Sequence, residues 1–359
     1  MEKVKAGIIG ATGMVGQRLV TLLADHPYFE IAALFASARS AGKTYGESVS
    51  GRWKMAAACP EKIAAMKVQN ADDIEAVSKA CDMVFCAVNL PKAETALYEE
   101  KLAKAEIPVV SNNSAHRMTP DVPMMIPEIN SDHAKLIEIQ KKRLGTRRGF
   151  IASKPNCSIQ SYVPLLHPLM EFEPYEVAVT TYQAISGAGK TFSDWPEIVD
   201  NIIPNISGEE EKSEKEPLKI WGTITENGVE MTDRIRISAQ CLRVPVSDGH
   251  TAAIFVKFRK KPTKEEILSR WASYRGLPQE MELPSAPKQF ITYFEDENRP
   301  QARLDRMIEK GMGISAGRLR EDSIFDYKFV GLSHNTLRGA AGGAVEMAEL
   351  LCRLGYFAR

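Results

Sequence analysis

Over the first part of the chain, short apolar runs alternate with stretches in which apolar positions recur at helical spacing. Val4–Ile9, Ile31–Ala36, Met83–Val88 and Pro108–Ser111 are compact apolar runs that predict buried strands. Val15–Ala24, Ala71–Lys79 and Lys92–Ala105 mix polar and apolar positions and predict helices between them. Parallel neighbours need a crossover and a helix supplies one, so this rhythm implies a parallel, doubly wound sheet.

The pattern changes after about residue 150. Glu176–Ala184, Asp233–Val246 and Thr251–Phe258 contain alternating positions, and Ser247-Asp248-Gly249 lies between the last two. This predicts antiparallel sheet, with those two strands as a hairpin. Helices are expected near Ser158–Met170, Ser193–Asn201 and Thr263–Arg275, and a surface connection over Leu277–Lys288, which holds three prolines. Asn335–Leu354 reads as a helix carrying Gly339, Gly342 and Gly343. Glycines weaken a helix, so these need a reason: close packing on a sheet, or closure of the helix on a ligand of the first domain.

The fold class expected is α/β: a Rossmann-type doubly wound domain plus an α+β domain with a mainly antiparallel sheet. A length of 359 residues suits two domains. The expected boundaries are residues 1–155, completed by 335–359, and residues 156–334.

Lysine plus arginine total 46 and aspartate plus glutamate total 46, so the net charge is zero and long-range attraction to nucleic acid or an anionic membrane is absent. No apolar run approaches the roughly 18–20 residues of a membrane span, and Met-Glu-Lys-Val-Lys leads straight into the first strand. A cytoplasmic protein is expected. Cys59, Cys81, Cys86, Cys157, Cys241 and Cys352 form no CxxC pair and no Cys/His comb, so neither a metal site nor a disulfide framework is predicted.

Gly10-Ala11-Thr12-Gly13-Met14-Val15-Gly16 joins the first strand to the first helix. Glycines at three-residue spacing allow backbone N–H groups at a helix start to approach a pyrophosphate; the plain alternative is a tight βα turn, which would need one glycine. After the second strand, where an NAD enzyme usually carries Asp or Glu, stand Ser37-Ala38-Arg39-Ser40. A guanidinium between two hydroxyls suits a 2′-phosphate, which favours NADP, against the alternative that Arg39 is a solvated loop residue.

Lys154-Pro155-Asn156-Cys157-Ser158 sits between strand-like Gly149–Ala152 and the helix expected from Ser158. At a helix start, unpaired N–H groups stabilise a thiolate and could hold an oxyanion. Cys81, Cys86, Cys241 and Cys352 lie in apolar or periodic contexts and fit a buried structural role better. A thiol mechanism needs an acid/base. His250 follows the Ser247-Asp248-Gly249 turn, with Arg243 seven residues earlier, and is one candidate among six histidines.

Seven separated blocks then occur in order: GATGMVGQ, SNNSAHRM, PNCSIQ, YQAISGAGK, GEEEKSEKE, RVPVSDGHTA and SHNTLRGAAGGAVE. Along nearly its whole length the chain resembles the aspartate-semialdehyde dehydrogenases, particularly their archaeal and fungal branch. The resemblance implies that Cys157 is the nucleophile and His250 the acid/base. Arg243 would bind the substrate α-carboxylate and Glu209 its α-ammonium group, Arg117 and Lys212 would hold phosphate, and Asn156 and Gln183 would orient substrate and thiol. Ser186, Gly187, Gly189 and Asn335 would contact the nicotinamide half of the cofactor. Glu209 is chosen among three consecutive glutamates by its Glu-x-x-Lys spacing to Lys212; out of context that run reads as a solvated helical face. The implied reaction interconverts L-aspartate 4-semialdehyde, phosphate and NADP with L-4-aspartyl phosphate and NADPH, in lysine, threonine and methionine biosynthesis, by a homodimer or homotetramer.

Rival readings are a malonyl-CoA reductase-like enzyme, an N-acetyl-glutamyl-phosphate reductase and a catalytically silent NADP-binding sensor. The first departs around the cysteine block and loses Glu-x-x-Lys, the second places a different block at the nucleophile, and the third would lose Cys157, His250 and Arg243. All of these features are present.

Overall fold

The structure is a computed structural model and describes residues 2–357. The chain divides into two compact units. One holds the chain up to Pro155, Ile224–Val229 and the chain from Ala341 onward; the other holds Asn156–Thr223 and Glu230–Ala340.

The first unit is a six-stranded parallel sheet of β1 (Val4–Ile9), β2 (Phe29–Ala36), β3 (Val68–Asn70), β4 (Met83–Cys86), β5 (Val109–Ser111) and β6 (Ile151–Ser153), ordered β3-β2-β1-β4-β5-β6. Successive β1 side chains point to opposite faces. Ile8 joins one core with Leu19, Phe29, Phe85, Val345 and Leu351, while Ile9 joins another with Val84, Leu102 and Val109. The first core is closed by the C-terminal helix Gly342–Arg353. Strand order reverses between β1 and β4, the point at which a doubly wound sheet opens a ligand crevice at its carboxyl edge.

The second unit opens with β7 (Pro174–Gln183); the chain then forms the β8 (Thr223–Thr225) and β9 (Gly228–Glu230) pair before the second unit continues with β10 (Arg236–Arg243), β11 (His250–Phe258), β12 (Ile291–Phe294), β13 (Ile314–Glu321) and β14 (Tyr327–Ser333). Most of the β8–β9 pair counts with the first unit, where the Val229 N–H donates to Pro120 O at 2.9 Å. The six remaining strands form one sheet, ordered β10-β7-β11-β14-β13-β12. Its β7–β11, β11–β14 and β13–β14 ladders are antiparallel, and its two outer ladders are parallel. The sheet is therefore mixed and mainly antiparallel.

Three local expectations are overturned. β10 and β11 are not a hairpin, because β7 lies between them, parallel to β10 and antiparallel to β11. The six residues from Val244 to Gly249 are too many for a two-residue turn and cross the end of β7, where Ile185 N–H donates to Val246 O at 2.9 Å. The helix expected over Ser158–Met170 is three short pieces, Ser158–Ser161, Val163–Leu166 and His167–Phe172. Pro164 and Pro168, which lack an N–H, each sit in the first turn of a new piece. Ser193–Asn201 holds only the turn Pro196–Ile198.

Candidate active site

In the first unit, Gly10 closes the turn after β1 with φ of +81°, and a β-carbon there would lie 2.3 Å from Ala87 O. Gly16 is equally constrained, since a β-carbon would meet Gly10 O at 2.3 Å. Gly13 differs. It is exposed, and a β-carbon would meet only Gly10 O, at an ordinary 3.5 Å. The fold itself thus requires Gly10 and Gly16 but leaves Gly13 as open surface. Gly13 is the N-cap of helix Met14–Leu23, which has no side-chain cap, so no capping side chain covers the N–H groups of its first turn. Thr12, Met14 and Val15 are half-buried around it. After β2, Ser37 and Arg39 are exposed and Ser40 is buried, in a turn closed by Ser40 N–H on Ser37 O at 2.9 Å. Arg117 also belongs to this unit, where Nη2 donates to Asn112 O at 3.3 Å.

In the second unit, Cys157 caps the short Ser158–Ser161 turn, with Sγ 3.4 Å from His250 Nε2. A four-residue turn supplies little helix dipole, so the support for this thiol comes from side chains. His250 opens β11 on the face that also buries Ala252, Ile254 and Val256. Its Nδ1 accepts the Ala184 N–H at 3.0 Å. The neutral ring therefore carries its proton on Nε2, facing the sulfur. Burial, and then the Arg243 guanidinium, push His250 down to about 3.

Arg243 ends β10, is buried, and donates from Nη1 to Ala184 O at 2.6 Å. Both side chains border Gly187, where a β-carbon would fall 3.0 Å from Arg243 Nη1 and 3.3 Å from His250 Nε2. Asn335 closes the same corner: Oδ1 accepts Gly249 N–H and Nδ2 donates to Ser186 Oγ, each at 2.8 Å. Gly189 ends the Ile185–Ala188 turn with φ of +69°.

The charge run folds as helix Glu209–Ile220, and it is not a solvated face. Glu209 is buried, its carboxylate receiving Asn156 Nδ2 at 2.9 and 3.1 Å, Gln183 Nε2 at 3.3 Å and Lys212 Nζ at 2.7 Å. Burial pushes this carboxyl up, but the Lys212 charge and the three donors outweigh it and hold Glu209 below its usual range. Glu210 and Glu214 accept the Cys241 and Ala239 N–H groups, satisfying the outer edge of β10. Only Glu211 and Lys215 face solvent, paired with each other at 2.8 Å.

Burial pushes the thiols of Cys81, to about 12, and of Cys86 and Cys241 up, as suits structural cysteines. Among the described residues no three His, Cys, Asp or Glu side chains form a metal cluster, and no helix is long and apolar enough to cross a membrane.

The residue reading missed Gly339, where a β-carbon would lie 2.7 Å from Cys157 Cβ. Its signal was present, since it is the first of the unexplained helix glycines, and it stands in a π-type turn, Leu337–Ala341. It also missed Ser213 and Glu216, for which a charge run offers no signal of burial.

Residues 5–137 match the family described as "Semialdehyde dehydrogenase, NAD binding domain", and residues 166–338 match "Semialdehyde dehydrogenase, dimerisation domain". The aspartate-semialdehyde dehydrogenase of Schizosaccharomyces pombe is 45% identical over 98% of this chain and 98% of its own. That of Archaeoglobus fulgidus is 43% identical over 97% of both. A crystal structure of the Candida albicans aspartate-semialdehyde dehydrogenase with NADP has a TM-score of 0.87 at 39% identity, covering 98% of this chain and 99% of that one.

Proposed function

Because the chain belongs to the aspartate-semialdehyde dehydrogenase family, we propose that it interconverts L-aspartate 4-semialdehyde, phosphate and NADP with L-4-aspartyl phosphate and NADPH, through a thioester on Cys157. The observation that carries this reading is the 3.4 Å approach of Cys157 Sγ to His250 Nε2, with a buried arginine alongside. The first unit is then the NADP-binding domain and the second the catalytic and dimerisation domain. Gly13, which has no side chain, and the uncapped helix behind it fit a pyrophosphate, and Arg39 with Ser37 and Ser40 fits a 2′-phosphate.

In the oxidative direction the Cys157 thiolate attacks the aldehyde carbon to form a thiohemiacetal. His250 is the residue assigned to acid/base support. In the tautomer set by the Ala184 N–H, its Nε2–H donates a hydrogen bond first to the sulfur and then to the new oxyanion, whose negative charge is discharged as hydride leaves, so the neutral ring keeps its proton. Bound NADP supplies hydride acceptance as the thiohemiacetal becomes a thioester. Phosphate then adds to the thioester carbonyl, the C–S bond breaks, and the Cys157 thiolate is restored. Arg243 clamps the α-carboxylate and Glu209 takes the α-ammonium group, while Arg117 and Lys212 are the cations assigned to phosphate. Asn156 and Gln183 act by holding Glu209. Ser186, Gly187, Gly189 and Asn335 border the nicotinamide half. The cellular role is the reductive step towards lysine, threonine and methionine in the cytoplasm. A homodimer or homotetramer built through the second unit accords with the half-buried sheet face of Ala253 and Phe255 and with Tyr182, 37% exposed.

NADPH formation from aspartate semialdehyde, followed with and without phosphate, tests the reading. Turnover is expected to require phosphate, and Cys157→Ala to lower kcat by about 10⁴-fold or more. Turnover that ignores phosphate, or survives in that variant, overturns the thioester. Malonyl-CoA with NADPH, assayed alongside, tests the sister activity, and a titration with NAD tests Arg39.

A further inference from the structure

The helix that supplies Glu209 and Lys212 continues past them, and its buried face has a second carboxylate. Glu209, Ser213 and Glu216 lie at i, i+4 and i+7, which puts them on one side of the Glu209–Ile220 helix. Each touches the three-residue turn that carries the thiol. The Glu209 carboxylate receives Asn156 Nδ2, Ser213 Oγ lies 3.1 Å from Ser158 Oγ, and Glu216 Oε2 accepts the Asn156 backbone N–H at 2.6 Å. The turn is also tied to itself, since Asn156 Oδ1 accepts the Ser158 N–H at 2.7 Å. Pro155 has no N–H, so the Asn156 N–H is the first main-chain donor ahead of the nucleophile, and a carboxylate 2% exposed to solvent holds it.

We propose that Glu216 is a positioning residue, whose carboxylate fixes the Asn156 peptide and so aims Cys157 Sγ at the reacting carbon and at His250. The proposal rests on Cys157 being the nucleophile. Glu216 does not touch substrate; it acts through the backbone. The 3.4 Å separation of sulfur and imidazole is set by the dihedral angles of Asn156 and Cys157, and misplacement of a reacting atom by about 1 Å costs about 10²-fold in rate. Length and acceptor, not charge, are what this role needs.

Two substitutions separate those properties. Glu216→Gln keeps the length and an acceptor oxygen without the charge, and Glu216→Asp keeps the charge but withdraws the acceptor by one methylene. The full-length variants are compared by thermal melting, by kcat and KM for aspartate semialdehyde, and by the rate of iodoacetamide labelling at Cys157, read by peptide mass spectrometry. Glu216→Gln is expected to keep kcat within about 5-fold of the parent. Glu216→Asp is expected to lose about 10²-fold in kcat, with KM within about 3-fold and altered Cys157 labelling. Asp matching the parent, or Gln losing as much as Asp, overturns the proposal. If Glu216→Asp does not fold, Glu216→Met, which keeps the length without an oxygen acceptor, takes its place: a loss of about 10²-fold in kcat with altered Cys157 labelling supports the role, and kcat near the parent refutes it. Failure of the underlying mechanism would look different, because Cys157→Ala would then stay active whatever Glu216 does.

Discussion

The glycine turn of the first unit and the thiol site of the second are built on opposite plans. The turn is seven consecutive residues, Gly10 to Gly16, whose contribution is main chain: N–H groups at a helix start and space where β-carbons would be. The thiol site draws on Asn156–Ser158, Gln183–Gly187, the Glu209–Ile220 helix, Arg243, His250 and Asn335–Gly339, and its central pair is 93 residues apart in sequence. Damage to the first should therefore be steric and local. Damage to the second should be chemical, and should spread through shared partners.

The largest effect that separates the plans is expected at Arg243. A lysine keeps the charge but not the fork that holds Ala184 O and that the proposed function assigns to the substrate carboxylate. Arg243→Lys should lower kcat/KM for the semialdehyde by about 10³-fold, equivalent to about 4 kcal/mol, while leaving KM for NADP within about 2-fold. Steady-state kinetics with each substrate varied in turn checks this. An equal loss in both KM values would break the separation.

Next in size are two glycines of the same turn. At Gly10 an alanine needs φ of +81° and would sit on Ala87 O, so Gly10→Ala should destabilise the protein by about 2–4 kcal/mol. At Gly13 there is room, and Gly13→Ala should change stability by less than about 0.5 kcal/mol while raising KM for NADP about 10-fold. Urea denaturation alongside cofactor titration reads both. If Gly13→Ala binds NADP like the parent, the open surface at the helix start is not where the pyrophosphate lies.

Contiguity also decided what could be read before folding. The glycine turn, the Arg39 segment and the first-unit strands other than β3 are local patterns, and each lies within a few residues of its expected place. In the second unit Ser247-Asp248-Gly249 marked a break between two strands but not a tight turn, and it could not say that β7 would enter between the strands it joins. The same limit applies to Gly208–Pro217, where spacing alone cannot distinguish Glu211 in water from Glu216 in the interior. β13 escaped notice because Gly317 and Arg318 interrupt its apolar run, and β3 because three residues are too few for a period. Arg117, Gln183 and Lys212 entered through resemblance, since an isolated polar residue carries no local mark of what it will face.

The smallest expected effect concerns the pH dependence that a buried imidazole brings to the second unit. Burial and Arg243 push folded His250 to about 3, below the roughly 6.5 of an unfolded histidine. The unfolded chain therefore binds more protons through that interval. The stabilisation from keeping this ring neutral is complete above about pH 6.5 and is lost as pH falls towards about 3. At pH 5 the loss should be about 2 kcal/mol. Carboxylates titrate in the same range, so the useful quantity is a difference from His250→Asn, whose amide oxygen offers the Ala184 N–H an acceptor but takes up no proton. Urea midpoints at pH 7 and pH 5 should fall further apart in the parent than in the variant. Equal spacing would mean that the ring escapes burial, or loses the Ala184 N–H, on protonation. No such pH dependence is expected from the glycine turn, which carries no titrating side chain between Gly10 and Gly16.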